Sequence, residues 1–311
     1  MKAFHSDRQT LALPPGHRFP ASKYRRLREH VEGWGELELH EAPPAGDAEL
    51  ALVHTPEYLS AVLGNRLTAA EQRAIGFPWS ETMVERSRRS VGATIEAART
   101  ALLAGIAANL AGGTHHASAS RGSGYCVFND VAVAARLMQQ EARAGALPPL
   151  RVAVVDLDVH QGDGTASIFA GDASVFTLSL HGERNFPFRK ATSDLDVALA
   201  DGCADAEYLE ALAGALDVLW QEHAAAPFGL AFYLAGADPH EGDRLGRLKL
   251  SAAGLLERDR RVFAALRERR IPVALSMAGG YGREIDVTVA IQAATLRAAA
   301  DSWRQWNNAG R

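Results

Sequence analysis

Short apolar runs alternate with helical periodicities along most of this chain. The apolar runs, typical of buried strands, lie at 37–39, 50–53, 151–155, 174–180, 228–235 and 271–277. Apolar residues spaced three or four apart predict helices over 84–110, 131–138, 206–222, 252–270 and 285–306. This alternation predicts an α/β fold with a parallel sheet and helices on both faces, in a single domain spanning residues 1–311.

Glycines and short polar residues predict where the helices begin and end. Gly112 and Gly113 are expected to stop the first long helix, whereas Asn129 or Asp130 is expected to cap the second. Ser251 is the expected cap of the fourth helix.

Each predicted strand is followed by glycine and polar residues. In open parallel sheets, ligands bind beyond the carboxyl ends of the strands. We therefore expect the polar residues after the strands to share one edge of the sheet. They are Asp156, Asp158, His160, Ser179, Asp238 and Tyr281.

The strand at 151–155 leads directly into Asp156, Asp158 and His160 at alternate positions. Extended backbone would point these side chains the same way, and two carboxylates beside an imidazole favour a bound cation. Oxygen and nitrogen ligands suit a divalent metal, with zinc expected first and ferrous iron as the alternative. A strand end with surface acids is the other interpretation. The following glycines would bend the chain and return Asp163 to the site.

Two adjacent imidazoles, His115 and His116, follow the first predicted helix. They are either an ordinary surface pair or, beside a metal, candidate general bases oriented by acids. If Asp238 supplies a third metal ligand, Asp156 and Asp163 remain available for that orienting role.

Two tyrosine segments admit both a packing and a functional interpretation. Tyr281, set between glycines, is either a packed aromatic at a turn or a hydroxyl directed at a developing oxyanion. Gly124 and Tyr125 belong either to the core or to the wall of a substrate channel. Cys126 has no base nearby in the sequence, and we do not expect it to be a nucleophile.

Composition narrows the possible functions. The net charge of −4 argues against nucleic-acid binding over the whole surface, and the basic runs at 23–28 and 86–89 are expected to be solvated helix faces. Two widely separated cysteines, no signal-peptide pattern and no long apolar run predict a cytoplasmic protein without a membrane span. The glycine motifs of nucleotide-binding loops and the GxSxG motif are absent.

Taken together, the motifs resemble those of the histone deacetylase superfamily, which includes bacterial acetoin-utilisation-type and acetylpolyamine-type amidohydrolases. The matching segments occur in the family's order at 113–116, 124–130, 156–164, 235–238 and 279–281. Segments 15–20, 23–24 and 241–246 look like the class IV branch in particular. Four positions in loops that line the rim, where substrates are selected, depart from the family's common pattern. They are Gln161, Ala278, Pro239 and His240.

The resemblance implies the arginase/deacetylase fold, a three-layer α/β/α sandwich around an eight-stranded parallel sheet. It implies zinc on Asp158, His160 and Asp238. It pairs His115 with Asp156 and His116 with Asp163, and it assigns Tyr281 to the oxyanion. A substrate channel is expected at Gly124, Tyr125, Gly279 and Gly280. A structural potassium ion is expected at Asp156, Asp158, His160, Ser179 and Leu180.

The implied activity is zinc-dependent hydrolysis of acetyl or longer acyl groups from N-acyl-lysine in proteins or peptides. The alternatives are a deacetylase of acetylpolyamines or other small acylated amines, an arginase-like ureohydrolase, and an acyl-lysine-binding module without activity. The sequence does not predict an oligomeric state.

Overall fold

The computed structural model describes residues 1–308, and its centre is one sheet of eight strands. The strands are β1 (Lys2–His5), β2 (Glu38–Glu41), β3 (Ile106–Asn109), β4 (Val152–Asp156), β5 (Val175–Gly182), β6 (Leu195–Leu199), β7 (Leu230–Leu234) and β8 (Val273–Ser276). They lie in the order β2-β1-β3-β8-β7-β4-β5-β6, and every pairing is parallel. The carboxyl ends of all eight strands therefore lie at the same edge of the sheet.

Ten helices occur within the described residues. They are α1 (Ser22–Val31), α2 (Asp47–Leu50), α3 (Pro56–Leu63), α4 (Ala69–Ile75), α5 (Glu81–Ala104), α6 (Asp130–Ala144), α7 (Asp163–Phe169), α8 (Asp205–Ala225), α9 (Ala252–Glu268) and α10 (Ile285–Asn308). Within residues 1–308, no helix combines the length and the apolar character that crossing a bilayer requires.

Alternate residues of β4 pack on opposite faces of the sheet. Val152 and Val154 belong to a core that includes residues of α5 and α6, whereas Ala153 and Val155 belong to a core that includes residues of α8, α9 and α10. This period of two shows that helices cover both faces. The predicted α/β/α sandwich with an eight-stranded parallel sheet is confirmed.

The predicted helix over 84–110 is wrong at its carboxyl end. Helix α5 ends at Ala104, and Gly105 turns the chain with φ 89° into strand β3. A Cβ at Gly105 would collide with the indole ring of Trp306, so this turn requires glycine. Gly112 and Gly113 follow the strand rather than the helix.

The predicted strand at 50–53 is also wrong. Leu50 ends the short helix α2, and the following three residues form a turn whose backbone N–H groups bond back to the helix. The strand expected at 37–39 exists as β2, displaced by one or two residues. The sequence pattern did not predict β1, β3 and β6, nor the helices α2, α3, α4 and α7.

Two predicted helix caps are confirmed. The side chain of Asn129 accepts the N–H of Ala132 at 2.9 Å and begins α6. The hydroxyl of Ser251 accepts the N–H of Gly254 at 3.0 Å and begins α9. Each side chain satisfies a backbone donor that the first helical turn leaves unpaired.

Candidate metal centre and substrate channel

Three buried side chains that can bind a metal converge at the carboxyl edge of the sheet. Asp158 and His160 follow β4, and Asp238 follows the neighbouring strand β7. One ligand atom from each lies within 4.8 Å of the others. Strand β4 itself ends at Asp156, so the expected extended backbone stops there and Asp158 and His160 lie in a bend. The bend still brings both side chains to the cluster.

Backbone N–H groups hold both carboxylates in place. The N–H of His160 donates to Asp158 Oδ1 at 2.9 Å, and the N–H of Gly279 donates to Asp158 Oδ2 at 2.7 Å. The N–H of Val159 donates to Asp238 Oδ1 at 3.0 Å. Among residues 1–308, Asp238 Oδ2 is buried without a hydrogen-bond donor; His160 Nδ1 lies 3.3 Å away but outside hydrogen-bond geometry. A bound cation would satisfy this oxygen.

The charges of this cluster fit a metal ion. Burial lowers the pKa of His160, but the two carboxylates facing the ring outweigh this and raise it to about 10. Burial, followed by the charge of Asp158, raises the pKa of Asp238 to about 7. Both shifts show that the two buried carboxylates repel each other and favour positive charge between them. Two carboxylates and one imidazole would supply three ligands, the number that catalytic zinc sites take from the protein.

Glycine is required where the chain after β8 approaches the cluster. A Cβ at Gly279 would overlap Asp238 Oδ2 and lie 2.5 Å from Asp158 Oδ2. Gly279 lines a small inner cavity together with Asp158. Gly280 does not line that cavity; its carbonyl accepts from Lys23 Nζ at 3.2 Å.

Two histidine–aspartate pairs lie beside the cluster. His115 Nδ1 is 2.6 Å from Asp156 Oδ2, and His116 Nδ1 is 2.7 Å from Asp163 Oδ1. The two imidazole rings are 4.2 Å apart between centroids, and the ring of His116 is 5.8 Å from that of His160. The return of Asp163 to the site was predicted from the glycines around it.

The two paired histidines differ in charge. Burial lowers the pKa of His115, but the charges of Asp156 and Asp158 outweigh it and raise it to about 9. Burial lowers the pKa of His116 to about 4, helped by the neighbouring His115 and opposed by Asp163. One imidazole therefore favours the cation and the other favours the neutral ring, which leaves His116 able to accept a proton.

Tyr281 closes the other side of the cluster. It is buried, and its ring centroid is 6.3 Å from that of His160. Burial raises the pKa of its hydroxyl well above the usual range, so the group remains a donor. Asp243 Oδ2 accepts the N–H of Tyr281 at 2.6 Å and fixes the loop.

A cavity of about 460 Å³ leads to these groups from the surface. Gly124 and Tyr125, both at positive φ, form part of its wall. Phe186 forms another part, with its ring 4.9 Å from that of His116. Nothing in the sequence pattern singled out Phe186, although it follows β5 at the same edge as the other candidate site residues. Cys126 lies in the inner cavity, where burial raises its pKa, so the thiol stays protonated.

The expected potassium ligands are partly brought together. Ser179 of β5 lies directly opposite Asp156 of β4 in the sheet register, and Leu180 follows it. All are buried, and the Ser179 hydroxyl is 3.0 Å from His181 Nδ1.

Lys23 corrects the expectation that the basic run at 23–28 is a solvated helix face. Its side chain is 1% exposed, and its ammonium donates to the carbonyls of Ala278 and Gly280. The same nitrogen lies 5.3 Å from the centroid of the Tyr281 ring. The Lys23 ammonium thus stabilises the glycine-rich loop that follows β8. Lys23 lies four and eight residues before the apolar Leu27 and Val31, on the same face of the helix, and this spacing was a signal for its burial.

Comparison with known proteins agrees with this geometry. Residues 17–297 match the histone deacetylase domain family. The chain is 44% identical over 301 residues to an uncharacterized protein of Picosynechococcus sp., covering 96% of this chain and 97% of that protein. It is 32% identical over 277 residues to histone deacetylase 2 of Arabidopsis thaliana, covering 85% and 70%. A solved histone deacetylase homolog from Aquifex aeolicus shares the fold, with a TM-score of 0.77, 24% identity, and coverage of 99% and 83%.

Proposed function

Because the chain belongs to the histone deacetylase family, we propose that it is a zinc-dependent hydrolase of N-acyl-lysine amides in peptides or proteins. The observation that carries this proposal is the arrangement of two His–Asp pairs and Tyr281 around three buried metal-binding side chains. A zinc ion held by Asp158, His160 and Asp238 would polarise the acyl carbonyl and lower the pKa of an attacking water.

The residues around the metal site supply the proton transfers. Asp163 orients His116 through Nδ1, so the Nε2 atom of the neutral ring accepts the proton of the attacking water. The same nitrogen returns that proton to the amine when the C–N bond breaks. His115, kept cationic by Asp156, adds positive charge beside the developing oxyanion. The Tyr281 hydroxyl donates a hydrogen bond to that oxyanion.

The channel supports an extended acyl-lysine as the substrate. Its wall contains the aromatic rings of Tyr125 and Phe186, which would contact the methylene groups of a lysine side chain.

An acyl-chain-length series on one lysine peptide tests the proposal. We expect zinc-dependent release of acetyl or longer groups, inhibition by a hydroxamate, and loss of activity with a chelator that zinc restores. Ferrous iron is tested by loading the stripped protein with either metal. If no acylated lysine peptide is hydrolysed by the zinc- or iron-loaded protein, the proposal is wrong.

Two further assignments belong to this proposal. We propose a structural potassium ion at Asp156, Asp158, His160, Ser179 and Leu180, supported by the direct register of Asp156 and Ser179. Replacing potassium by a large organic cation should then lower the melting temperature. We also propose a cytoplasmic location, which the two free, buried cysteines support.

A further inference from the structure

Six exposed arginines lie on segments that meet at the edge of the sheet where the channel opens. We call this set the arginine rim, and its members are Arg18, Arg73, Arg184, Arg189, Arg244 and Arg283. They come from segments before α1, in α4, after β5, after β7 and after β8. The rim therefore exists only in the folded chain, where these segments meet at one edge of the sheet.

Contacts place one side of the rim directly at the channel. Arg73 lines the 460 Å³ cavity together with Phe186 and Leu245. Arg184 immediately precedes Asn185, whose amide donates to the carbonyl of Leu245 at 2.7 Å. The two segments that carry Arg73 and Arg184, helix α4 and the loop after β5, therefore both border the entrance.

Contacts also place the opposite side of the rim. Arg244 Nε donates to the carbonyl of Tyr281 at 2.9 Å, and its Nη2 donates to the carbonyl of Arg18 at 3.2 Å. Arg283 is two residues beyond Tyr281, and its backbone N–H donates to the carbonyl of Gly242 at 3.1 Å. These hydrogen bonds go to neutral carbonyls and leave the positive charges uncompensated.

The lack of carboxylate partners distinguishes the rim from many other arginines. Arg28, Arg89 and Arg136 each form a salt bridge with an acid. Throughout the part of the chain that the structure describes, no rim arginine has a carboxylate oxygen within 4.0 Å. The loops after β5, β7 and β8 also carry four exposed acids, fewer than the six rim arginines; they are Glu183, Asp194, Glu241 and Glu284.

The arginine rim concentrates positive charge on a chain whose net charge is −4. Such a patch attracts anionic ligands. We propose that the arginine rim binds acidic residues flanking the acylated lysine, so that the preferred substrate is an acyl-lysine within an acidic peptide segment. This inference rests on the proposed function and specifies its substrate class. The rim would repel polycationic substrates such as acetylpolyamines or lysine-rich tails.

The test compares three acetyl-lysine peptides of equal length whose flanking residues are glutamate, glutamine or lysine, together with acetylspermidine. At about 50 mM salt we expect kcat/KM for the glutamate peptide to exceed that for the glutamine peptide by about tenfold, mainly through KM. The lysine peptide and acetylspermidine should fall below the glutamine peptide. About 500 mM salt should remove most of this difference.

Variants assign the preference to the rim. The double variant Arg73→Gln and Arg184→Gln should lower the ratio of glutamate to glutamine peptide about threefold or more. Arg143→Gln is the matched control, because Arg143 is exposed and lies in the last turn of α6, near the opposite edge of the sheet. It should leave the ratio unchanged.

Direct binding separates this inference from the proposed function. Fluorescence anisotropy of the same labelled peptides reports on the rim even if no peptide is hydrolysed. Tighter, salt-sensitive binding of the glutamate peptide supports the inference whatever the turnover. Equal binding and equal kcat/KM for all three peptides overturn it and leave the deacylase proposal intact, whereas absent turnover with selective binding overturns the deacylase proposal alone.

Discussion

The proposed mechanism gives a role to the single hydroxyl of the buried Tyr281. Its ring packs beside His160, Tyr125 and Phe19, and the loop is anchored through its N–H to Asp243. Removal of the hydroxyl alone keeps this packing. Any change in rate would therefore come from the loss of the proposed hydrogen bond to the oxyanion rather than from a displaced loop.

We predict that Tyr281→Phe lowers kcat by about 10²–10³ because one oxyanion donor is lost. The zinc content should remain that of the wild type, since Tyr281 is not a metal ligand in this assignment. Steady-state kinetics and metal analysis by mass spectrometry check both points. Tyr125→Phe removes a hydroxyl from the same cavity and should change kcat far less. Full activity of Tyr281→Phe would exclude the oxyanion role.

His54 links stability to pH away from the metal site. The N–H of Asn129 at the start of α6 donates to His54 Nε2 at 3.0 Å, so this nitrogen must be unprotonated. Burial lowers the pKa of His54 from 6.5 to about 4. Between these values the unfolded chain binds a proton and the folded chain does not. Stability is therefore unaffected above the unfolded pKa and falls as the pH is lowered toward 4.

We predict that His54 accounts for a loss of about 2 kcal/mol in the free energy of unfolding between about pH 7.5 and about pH 5. His54→Gln offers an amide oxygen as an acceptor but does not titrate, so the variant should lose less stability over this interval. Urea unfolding at several pH values measures the difference. Parallel pH profiles for the two proteins would contradict the assignment.

Individual site residues were accessible from the sequence because their chemistry is dense and local. Asp156, Asp158 and His160 occupy alternate positions in one short segment, and the structure brings Asp158 and His160 to Asp238. Lys23 was misjudged, because one buried ammonium within a basic run depends on carbonyls more than 250 residues away. Composition around a residue does not reveal such a distant partner.

At the level of elements, four of the strands that the apolar runs predicted are neighbours inside the sheet, in the order β8, β7, β4, β5, and the fifth, β2, lies at its edge. β4, β7 and β8 are buried on both faces and are therefore continuously apolar. β1, β3 and β6 were missed: β3 continues an alanine-rich helical periodicity, and exposed positions alternate in β6. The turn at Gly105 separates α5 from β3 and packs against Trp306. The spacing of apolar residues through this segment does not reveal that contact.

Helix α9 is attached to both segments that lead into the metal cluster. Arg258 is fully buried, and its Nη1 donates to the carbonyl of Gly236 at 2.7 Å and to that of Leu157 at 3.3 Å. Its Nε donates to Asp259, which in turn accepts from the hydroxyls of Tyr233 and Thr295. This network joins α9 to β4, β7 and α10 behind the cluster.

We predict that Arg258→Met lowers the free energy of unfolding by about 3–5 kcal/mol, because the buried carboxylate of Asp259 loses its counter-charge. The affinity for zinc should fall about 10- to 100-fold, as for groups that position metal ligands. Urea unfolding and competition with a zinc chelator measure the two effects. Arg261→Met, on the exposed side of the same helix, is the control. Unchanged zinc affinity in a folded Arg258→Met protein would show that the network is structural only.

At the scale of the whole molecule, the fold follows from a repeated pattern, whereas the mouth of the channel does not. Alternating strands and helices fix a parallel sheet, and a parallel sheet fixes the edge where the site forms. The arginine rim draws on five separate segments, so its charge becomes visible only when those segments meet. The chain-wide charge of −4 gave no indication of it.

The candidate metal site joins three neighbouring strands, because its proposed ligands follow β4 and β7 and the glycine that contacts them follows β8. We predict that stripping zinc with a chelator lowers the melting temperature by about 5–10 °C, as expected when ligand at about 1,000 times its Kd is removed. Added zinc should restore it. Asp238→Asn should not respond to zinc, because the variant lacks one of the two carboxylates that would bind the ion. It should remain folded, because the substitution removes a buried negative charge. A wild-type melting temperature that ignores chelator and zinc alike would mean that these three side chains do not hold a metal.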